Sequence, residues 1–315
     1  MKVAVVGAGG LGSKYAAYLA AKAEITVLHR RADYVEQVQR HGLRMITPDG
    51  TRTAAVTATL DPADVAGADV VLFAVKSYDT AAVIANVAPY LGPATVVLSV
   101  QNGLGNFESI VDHVGEERAG LAVTTEGATL SGPGEVLEKG KGITYIGAPG
   151  ALSDGPRLRL LGDFVDLLND CGLSAELNDQ IEGLLWAKLA MVAGINPLAV
   201  LLRVSNGDIG RIPQISSLSR TAISEVIEVA TRRGITLAFD PLEAFERTTS
   251  KTASMLSGSL LDSLRHKRTE IGAICGAVAR AAAEAGIAAP VNDTIAKLVE
   301  ALEASYACRV DTAPE

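Results

Sequence analysis

The sequence is poor in cysteine, in runs of one charge and in long apolar stretches. Cys171, Cys275 and Cys308 are its only cysteines, far apart and without Cys-x-x-Cys or Cys/His ligand spacing. That argues against a disulfide framework and a structural metal, and no metal is expected. No Lys/Arg run exceeds Arg30-Arg31 or Lys267-Arg268, and 36 acidic against 28 basic side chains leave a net charge of -8. Binding a nucleic-acid backbone means neutralising several phosphates at once, so no nucleic-acid partner is expected. Met1 to Val6 lead straight into glycines with no signal-peptide h-region, and apolar stretches are broken by charge, Gly or Pro before membrane-spanning length. No membrane partner is expected, and the expected compartment is cytoplasmic. Internal repeats and low-complexity tracts are absent.

What is present is apolar surface. Of the 315 residues, 48% are hydrophobic, enough for a compact globule of about two domains. The first half alternates β-branched runs with alanine-rich amphipathic segments, the rhythm of an α/β fold in which helices cover a parallel sheet. Val3 to Val6, Ile25 to Leu28, Val70 to Val75 and Thr95 to Val100 read as its buried strands, with a helix from about Gly10 to Lys22. Such strands are nearly continuous apolar runs because both sheet faces are covered. From Ala119 to Gly147 shorter pieces read as edge strands and hairpins, followed by a turn-rich stretch through Pro156, a helix over Leu158 to Cys171 and a strand near Leu173 to Leu177. Beyond Asn178 the pattern is helical almost throughout: Ile181 to Ile195, Ile215 to Arg233, Pro241 to Lys251, Thr269 to Gly286 and a last helix near Asp293. The expected domains are therefore 1–178, a Rossmann-type nucleotide-binding domain, and 179–315, an all-helical domain.

The opening strand runs into Gly7-Ala8-Gly9-Gly10-Leu11-Gly12 and then a helix. In a Gly-x-Gly-x-x-Gly turn the first glycine permits the tight turn, the second lets backbone approach a pyrophosphate, and the third lets helix pack on sheet; the helix N-terminus holds the phosphate charge. Gly7, Gly9, Gly10, Leu11 and Gly12 are thus the candidate cofactor turn. The second strand ends in His29-Arg30-Arg31, where an NAD-preferring domain would place an acid. A guanidinium pairs with a 2′-phosphate that an acid would repel, so NADPH is favoured through Arg30 or Arg31; the alternative is a solvated loop.

Ligands of open α/β sheets bind at the carboxyl ends of strands. There the sequence places Lys76-Ser77-Tyr78-Asp79 and Gln101-Asn102-Gly103-Leu104-Gly105. Lys76 offers a cation and Asn102 an amide, both facing cofactor and substrate unless they serve as a surface lysine and a simple turn. In the helical half Lys188 sits in a strongly apolar helix, where desolvation would lower its pKa and make it a better proton donor; the bland alternative is a snorkelling stem. Asn196 lies two turns on, with Pro197 expected to end or kink the helix there. Glu270 follows Lys267-Arg268-Thr269 at a helix start, where capping or pairing would also explain it.

Together, and in this order, Gly7 to Gly12, Ala74-Val75-Lys76, Gln101 to Gly105, Lys188 with Asn196-Pro197-Leu198, Asn206-Gly207 and Arg268-Thr269-Glu270-Ile271 resemble the ketopantoate reductases (2-dehydropantoate 2-reductases) over nearly the whole chain. The resemblance implies a Rossmann domain followed by a helical domain of the 6-phosphogluconate-dehydrogenase type, with the active site in the cleft between them. It further implies NADPH as cofactor and reduction of 2-dehydropantoate to (R)-pantoate on the route to pantothenate and coenzyme A. By matching position, Lys188 becomes the general acid and Glu270 the group that holds the substrate hydroxyl and supports it. Lys76 and Asn102 contact cofactor and substrate, and Asn196 and Asn206 bind substrate.

Two departures stand out. Val192 occupies the position of a family asparagine, and Gly258 that of a serine for the substrate carboxylate, with Ser257 and Ser259 beside it and Ser254 one turn earlier. Ser254 and Ser257 are the candidate replacements. The departures keep open a paralogue reducing another 2-oxo acid. A non-catalytic nucleotide-binding protein is a third reading, disfavoured by Lys188 and Glu270 occurring together. The alanine-rich helices of the second half offer a face for a homodimer.

Overall fold

The protein's structure, a computed structural model, describes residues 1–150 and 155–308; positions 151–154 of the expected turn-rich stretch lie outside these. The chain divides into two compact units, Met1–Gln101 with Gly105–Ile181, and Asn102–Leu104 with the residues from Glu182 onward.

The first unit contains, in order, β1 (Lys2–Val6), α1 (Gly10–Leu19), β2 (Glu24–Leu28), α2 (Ala32–His41), β3 (Leu43–Thr47), β4 (Gly50–Ala54), β5 (Thr57–Thr59), β6 (Val70–Phe73), α3 (Thr80–Val87), β7 (Val96–Ser99), α4 (Asn106–Val114) and β8 (Ala119–Thr124). It continues through β9 (Gly127–Gly132), β10 (Glu135–Gly140), β11 (Ile143–Gly147), α5 (Pro156–Asp170) and β12 (Ser174–Leu177). Eight strands form one sheet in the order β12-β11-β8-β7-β6-β1-β2-β5, parallel except where β8 meets β11. This is the Rossmann-type sheet, and the apolar runs of β1, β6 and β7 lie buried at its centre because helices cover both faces. Its core includes Val3, Val5, Val70 and Leu98 toward one face and Ala4, Val6, Val71 and Val97 toward the other, the alternation that a strand's two-residue period dictates.

Two details differ from the sequence expectation. The Ala119 segment is not an edge: β8 is buried along its whole length between β7 and β11. The second is a four-stranded sheet, β4-β3-β10-β9, that the sequence pattern did not announce. Its strand β4 (Gly-Thr-Arg-Thr-Ala) is exposed except at Ala54, so no apolar alternation marks it, and β3 pairs in parallel with the distant β10.

The second unit consists of α6 (Ile181–Leu202), α7 (Asn206–Arg211), α8 (Pro213–Arg232), α9 (Pro241–Lys251), α10 (Gly258–Leu264), α11 (Cys275–Glu284) and α12 (Pro290–Ala304). Trp186, Leu189, Ala193, Leu198 and Val200 of α6 pack with Val226, Phe245, Val278 and Val299 in one core. Helix α6 has the length and composition to cross a membrane, although Lys188, Gly194 and Pro197 interrupt its apolar run as expected. Most of it is buried within the unit, so its apolarity is used by the core of the protein.

The helix expected over Ile181 to Ile195 is longer: α6 continues through Asn196 and Pro197 to Leu202. Proline lacks the N–H that would reach the Ala193 carbonyl. The Cys275 thiol donates to that carbonyl instead, at 3.8 Å, and burial raises the thiol pKa, keeping its proton in place. The helix expected from Thr269 is also shorter. Thr269 and Glu270 precede a 3-10 turn at Ile271–Ala273, Ile274 takes non-helical angles, and α11 starts at Cys275. Glu303 of α12 holds the segment by accepting from Thr269 N at 2.8 Å and Thr269 Oγ1 at 2.6 Å.

Candidate active site

In the first unit, β1 leads into Gly7, whose N–H donates to the Leu28 carbonyl at the end of β2 (3.0 Å). Gly7 has φ of +89°, and a Cβ there would lie 2.6 Å from Val75 N, so only glycine fits. Gly12 and Gly10 are required by packing: a Cβ would lie 2.5 Å from the Gly7 carbonyl oxygen and 2.4 Å from that of Ala128, respectively. Gly9 differs, because a Cβ there would meet no protein atom within 4 Å. It precedes a helix with no side-chain cap and no acid in its first turn. The orphan N–H groups and positive end of α1 can therefore take an anion, and the turn fits a dinucleotide pyrophosphate. Leu11 packs against the core beside it.

Beyond β2, both arginines are held by carboxylates. Arg30 Nη1 lies 3.0 Å from Asp79 Oδ2. Arg31 Nε donates to Asp33 Oδ1 at 2.9 Å and its Nη2 pairs with Asp33 Oδ2. His29 stacks on Tyr34 with ring centroids 4.1 Å apart. Its burial lowers its pKa.

The ends of β6 and β7 are tied together by a residue to which the sequence pattern assigns no role. Gln101 Nε2 donates to the Val75 carbonyl at 2.8 Å and to Thr80 Oγ1 at 2.6 Å, while its Oε1 accepts from Ser99 Oγ at 3.0 Å. Thr80 in turn donates to Asn106 Oδ1 at 2.9 Å. This network fixes the backbone on either side of Lys76. Asn102 groups with the second unit, where Leu104 N donates to the Ala273 carbonyl at 2.9 Å. Gly103 must be glycine, since a Cβ would lie 2.3 Å from that carbonyl oxygen.

In the second unit Lys188 is half-buried on α6. Burial lowers its pKa from 10.5 to about 8, with the negative charge of Glu270 acting in the opposite direction. Glu270 is itself buried just ahead of the 3-10 turn that Glu303 steadies. No local signal links Glu303, 34 residues away, to that turn. Asn196 is half-buried eight residues after Lys188 on the same continuous helix, which places the two Cα atoms ~12 Å apart along the axis. Val192, one turn after Lys188, packs against the apolar core.

Asn206 opens α7, and its Nδ2 donates to Thr252 Oγ1 at 3.0 Å. The Thr252 hydroxyl donates to the Thr248 carbonyl, so it must accept from Asn206, which fixes the orientation of the amide. Asn206 Oδ1 is then left buried with no partner. A buried acceptor without a donor is costly, and a ligand hydroxyl would satisfy it. Of the candidate serines, Ser254 is exposed, while Ser257 is buried and caps α10, its Oγ accepting from Leu260 N at 3.2 Å. Ser259 is buried in the first turn of α10.

The family model described as ketopantoate reductase PanE/ApbA matches residues 3–150, and its C-terminal counterpart matches residues 180–303. The chain belongs to the ketopantoate reductase family. The 2-dehydropantoate 2-reductase of Halobacterium salinarum is 33% identical over 304 residues, covering 95% of this chain and 98% of its own. A PanE/ApbA family ketopantoate reductase from Ralstonia eutropha superposes with a TM-score of 0.88 at 30% identity, covering 97% of this chain and 99% of its own. D-mandelate dehydrogenase, solved with NADH and anilino(oxo)acetate, superposes with a TM-score of 0.90 at 26% identity over the same shares. Ketopantoate reductases are NAD(P)H-dependent oxidoreductases with small keto-acid substrates.

Proposed function

We propose that this ketopantoate reductase reduces 2-dehydropantoate to (R)-pantoate for pantothenate and coenzyme A synthesis in the cytosol, with NADPH as its cofactor. The observation that carries this reading is Lys188, an ammonium whose pKa is brought to about 8 by burial beside Glu270. A proton donor works best when its pKa lies near the working pH. The glycine turn from Gly7 to Gly12 would hold the pyrophosphate, Arg30 and Arg31 the 2′-phosphate, and Lys76 and Asn102 the ribose and the reacting carbonyl. The bound nicotinamide supplies a hydride. Lys188 gives its proton to the carbonyl oxygen as negative charge develops there, leaving a neutral amine and a hydroxyl group on the product. Asn206 Oδ1, with no protein donor, accepts from the substrate hydroxyl, and Glu270 and Asn196 complete the polar lining. The substrate carboxylate falls to Ser254 or Ser257; the latter's Oγ already accepts from Leu260 N but keeps its proton to donate.

Val192 and Gly258 favour a second reading, in which the same chemistry serves a different 2-oxo acid. Steady-state oxidation of NADPH with ketopantoate and with unbranched 2-oxo acids separates the two. The first reading expects kcat/KM for ketopantoate at least about a hundredfold above acids lacking the hydroxyl, because a site built around a hydroxyl rejects analogues without it. A flat or inverted ranking supports the second, and cofactor binding without turnover on any acid would leave only a nucleotide-binding protein.

Glu270 is separately testable. Its charge raises the Lys188 pKa against burial, so in Glu270→Gln burial acts unopposed. The basic limb of the kcat profile is expected to move down by about one pH unit, with about fivefold lower kcat at pH 8. A limb that stays in place would show that Glu270 does not govern the titrating group.

A further inference from the structure

The two arginines assigned to the 2′-phosphate are each paired with a carboxylate, and this bears on cofactor choice. Sheet order places β1 between β6 and β2. Gly7 follows β1 and bonds to Leu28 at the end of β2, while Asp79 closes the 3-10 turn after β6. The Arg30–Asp79 pair at 3.0 Å therefore joins the two strand ends that flank the glycine turn. On the β2 side, Arg31 presents its Nε and Nη2 edge to Asp33, the edge best suited to grip a phosphate with two bonds.

We propose that Asp79 and Asp33 are specificity-determining residues that narrow the preference for NADPH, so that this chain uses NADH as well. The inference rests on the reading that Arg30 and Arg31 face the adenosine ribose. Two guanidiniums and two carboxylates sum to no net charge. A 2′-phosphate carrying about -1.5 to -2 charges must part each arginine from its acid and then lie beside that acid. The ribose of NADH meets the opposite situation, because its hydroxyls donate to carboxylates, the usual arrangement in NAD-binding domains. Both pairs are largely exposed on the arginine side, and exposed ion pairs are weak. NADPH can therefore still break them, which yields dual use and not exclusion.

The test is a fluorescence titration of NADPH and NADH into wild type, Asp79→Asn, Asp33→Asn, Arg30→Ala and Arg31→Ala. Wild-type Kd values are expected within about tenfold of each other, with Asp79→Asn tightening NADPH about fivefold and leaving NADH within about twofold. Weakening of NADPH in an arginine variant with no change in either aspartate variant would overturn this inference and preserve the arginine reading. No change in any variant would overturn both. A wild-type preference for NADPH above about a hundredfold would show that the acids do not hold the arginines back.

Discussion

Lys188→Ala is expected to lower kcat by about 10²- to 10⁴-fold, the usual contribution of a positioned general acid. Affinity for NADPH should change little, because the glycine turn and both arginines belong to the other compact unit. The pH dependence gives the sign independently. With Lys188 as the proposed donor, reduction would consume its proton, so wild-type kcat should be flat below the lysine pKa of about 8 and fall as the amine loses its proton above it. Oxidation of the alcohol needs the free amine and should show the opposite limb. Lys188→Arg separates proton donation from charge: a guanidinium stays cationic at any working pH but does not give up its proton, so this variant should bind substrate and turn over slowly, without the basic limb. Retention of kcat within about threefold in Lys188→Ala would remove the lysine from the mechanism.

The path to this site was partly readable in the sequence, and the failures have physical causes. A parallel strand buried on both faces must be an apolar run, so β1, β6 and β7 declared themselves, and the strand–glycines–helix order located the turn from Gly7 to Gly12. Strand β4 could not be read in this way because its side chains point almost wholly to solvent. Pro197 suggested a helix end because the local rule is about a lost N–H; the partner that makes its position tolerable, Cys275, is 82 residues from the carbonyl it serves. For the site, residue type and apolar surroundings identified Lys188 as a candidate acid, but not what acts on it. The buried carboxylate of Glu270, the Thr269–Glu303 clasp and the Thr252 hydroxyl that orients Asn206 are all long-range contacts. The serines carry a further lesson. Ser257 could not be weighed as a ligand group without knowing that its hydroxyl oxygen is engaged at the start of α10.

Helix α1 begins at the glycine turn, and its orientation depends on a lysine placed one turn in. The Lys14 side chain is fully buried, with the side chains of Glu126 and Glu138 2% exposed beside it. Its ammonium pairs with Glu126, lies 2.9 Å from Glu138 Oε1 and donates to the Gly140 carbonyl at 2.7 Å, while Tyr18 donates to Glu138 at 2.8 Å. These bonds fasten α1 to the β9–β10 sheet. Burial raises the Glu138 pKa, but hydrogen bonds from Lys14 and Tyr18 and the charges of Lys14 and Lys141 prevail and hold it below the usual range. Such a carboxylate adds stability above its unfolded value, about 4.3, and loses it as pH falls through the lower folded value. Lys14→Met leaves two acids buried without their cation, and breaking a buried pair in this way costs about 3–5 kcal/mol. A correspondingly lower urea midpoint is expected, with weaker cofactor binding as α1 loosens. The control is to remove the charges together: Lys14→Met with Glu126→Gln and Glu138→Gln should recover most of the loss, because neutral groups carry no such desolvation cost. A loss below about 1 kcal/mol in Lys14→Met alone would mean that the acids take up protons or water cheaply, and that apolar packing of Tyr15 and Leu19, also buried on α1, is sufficient to hold the cofactor turn in place.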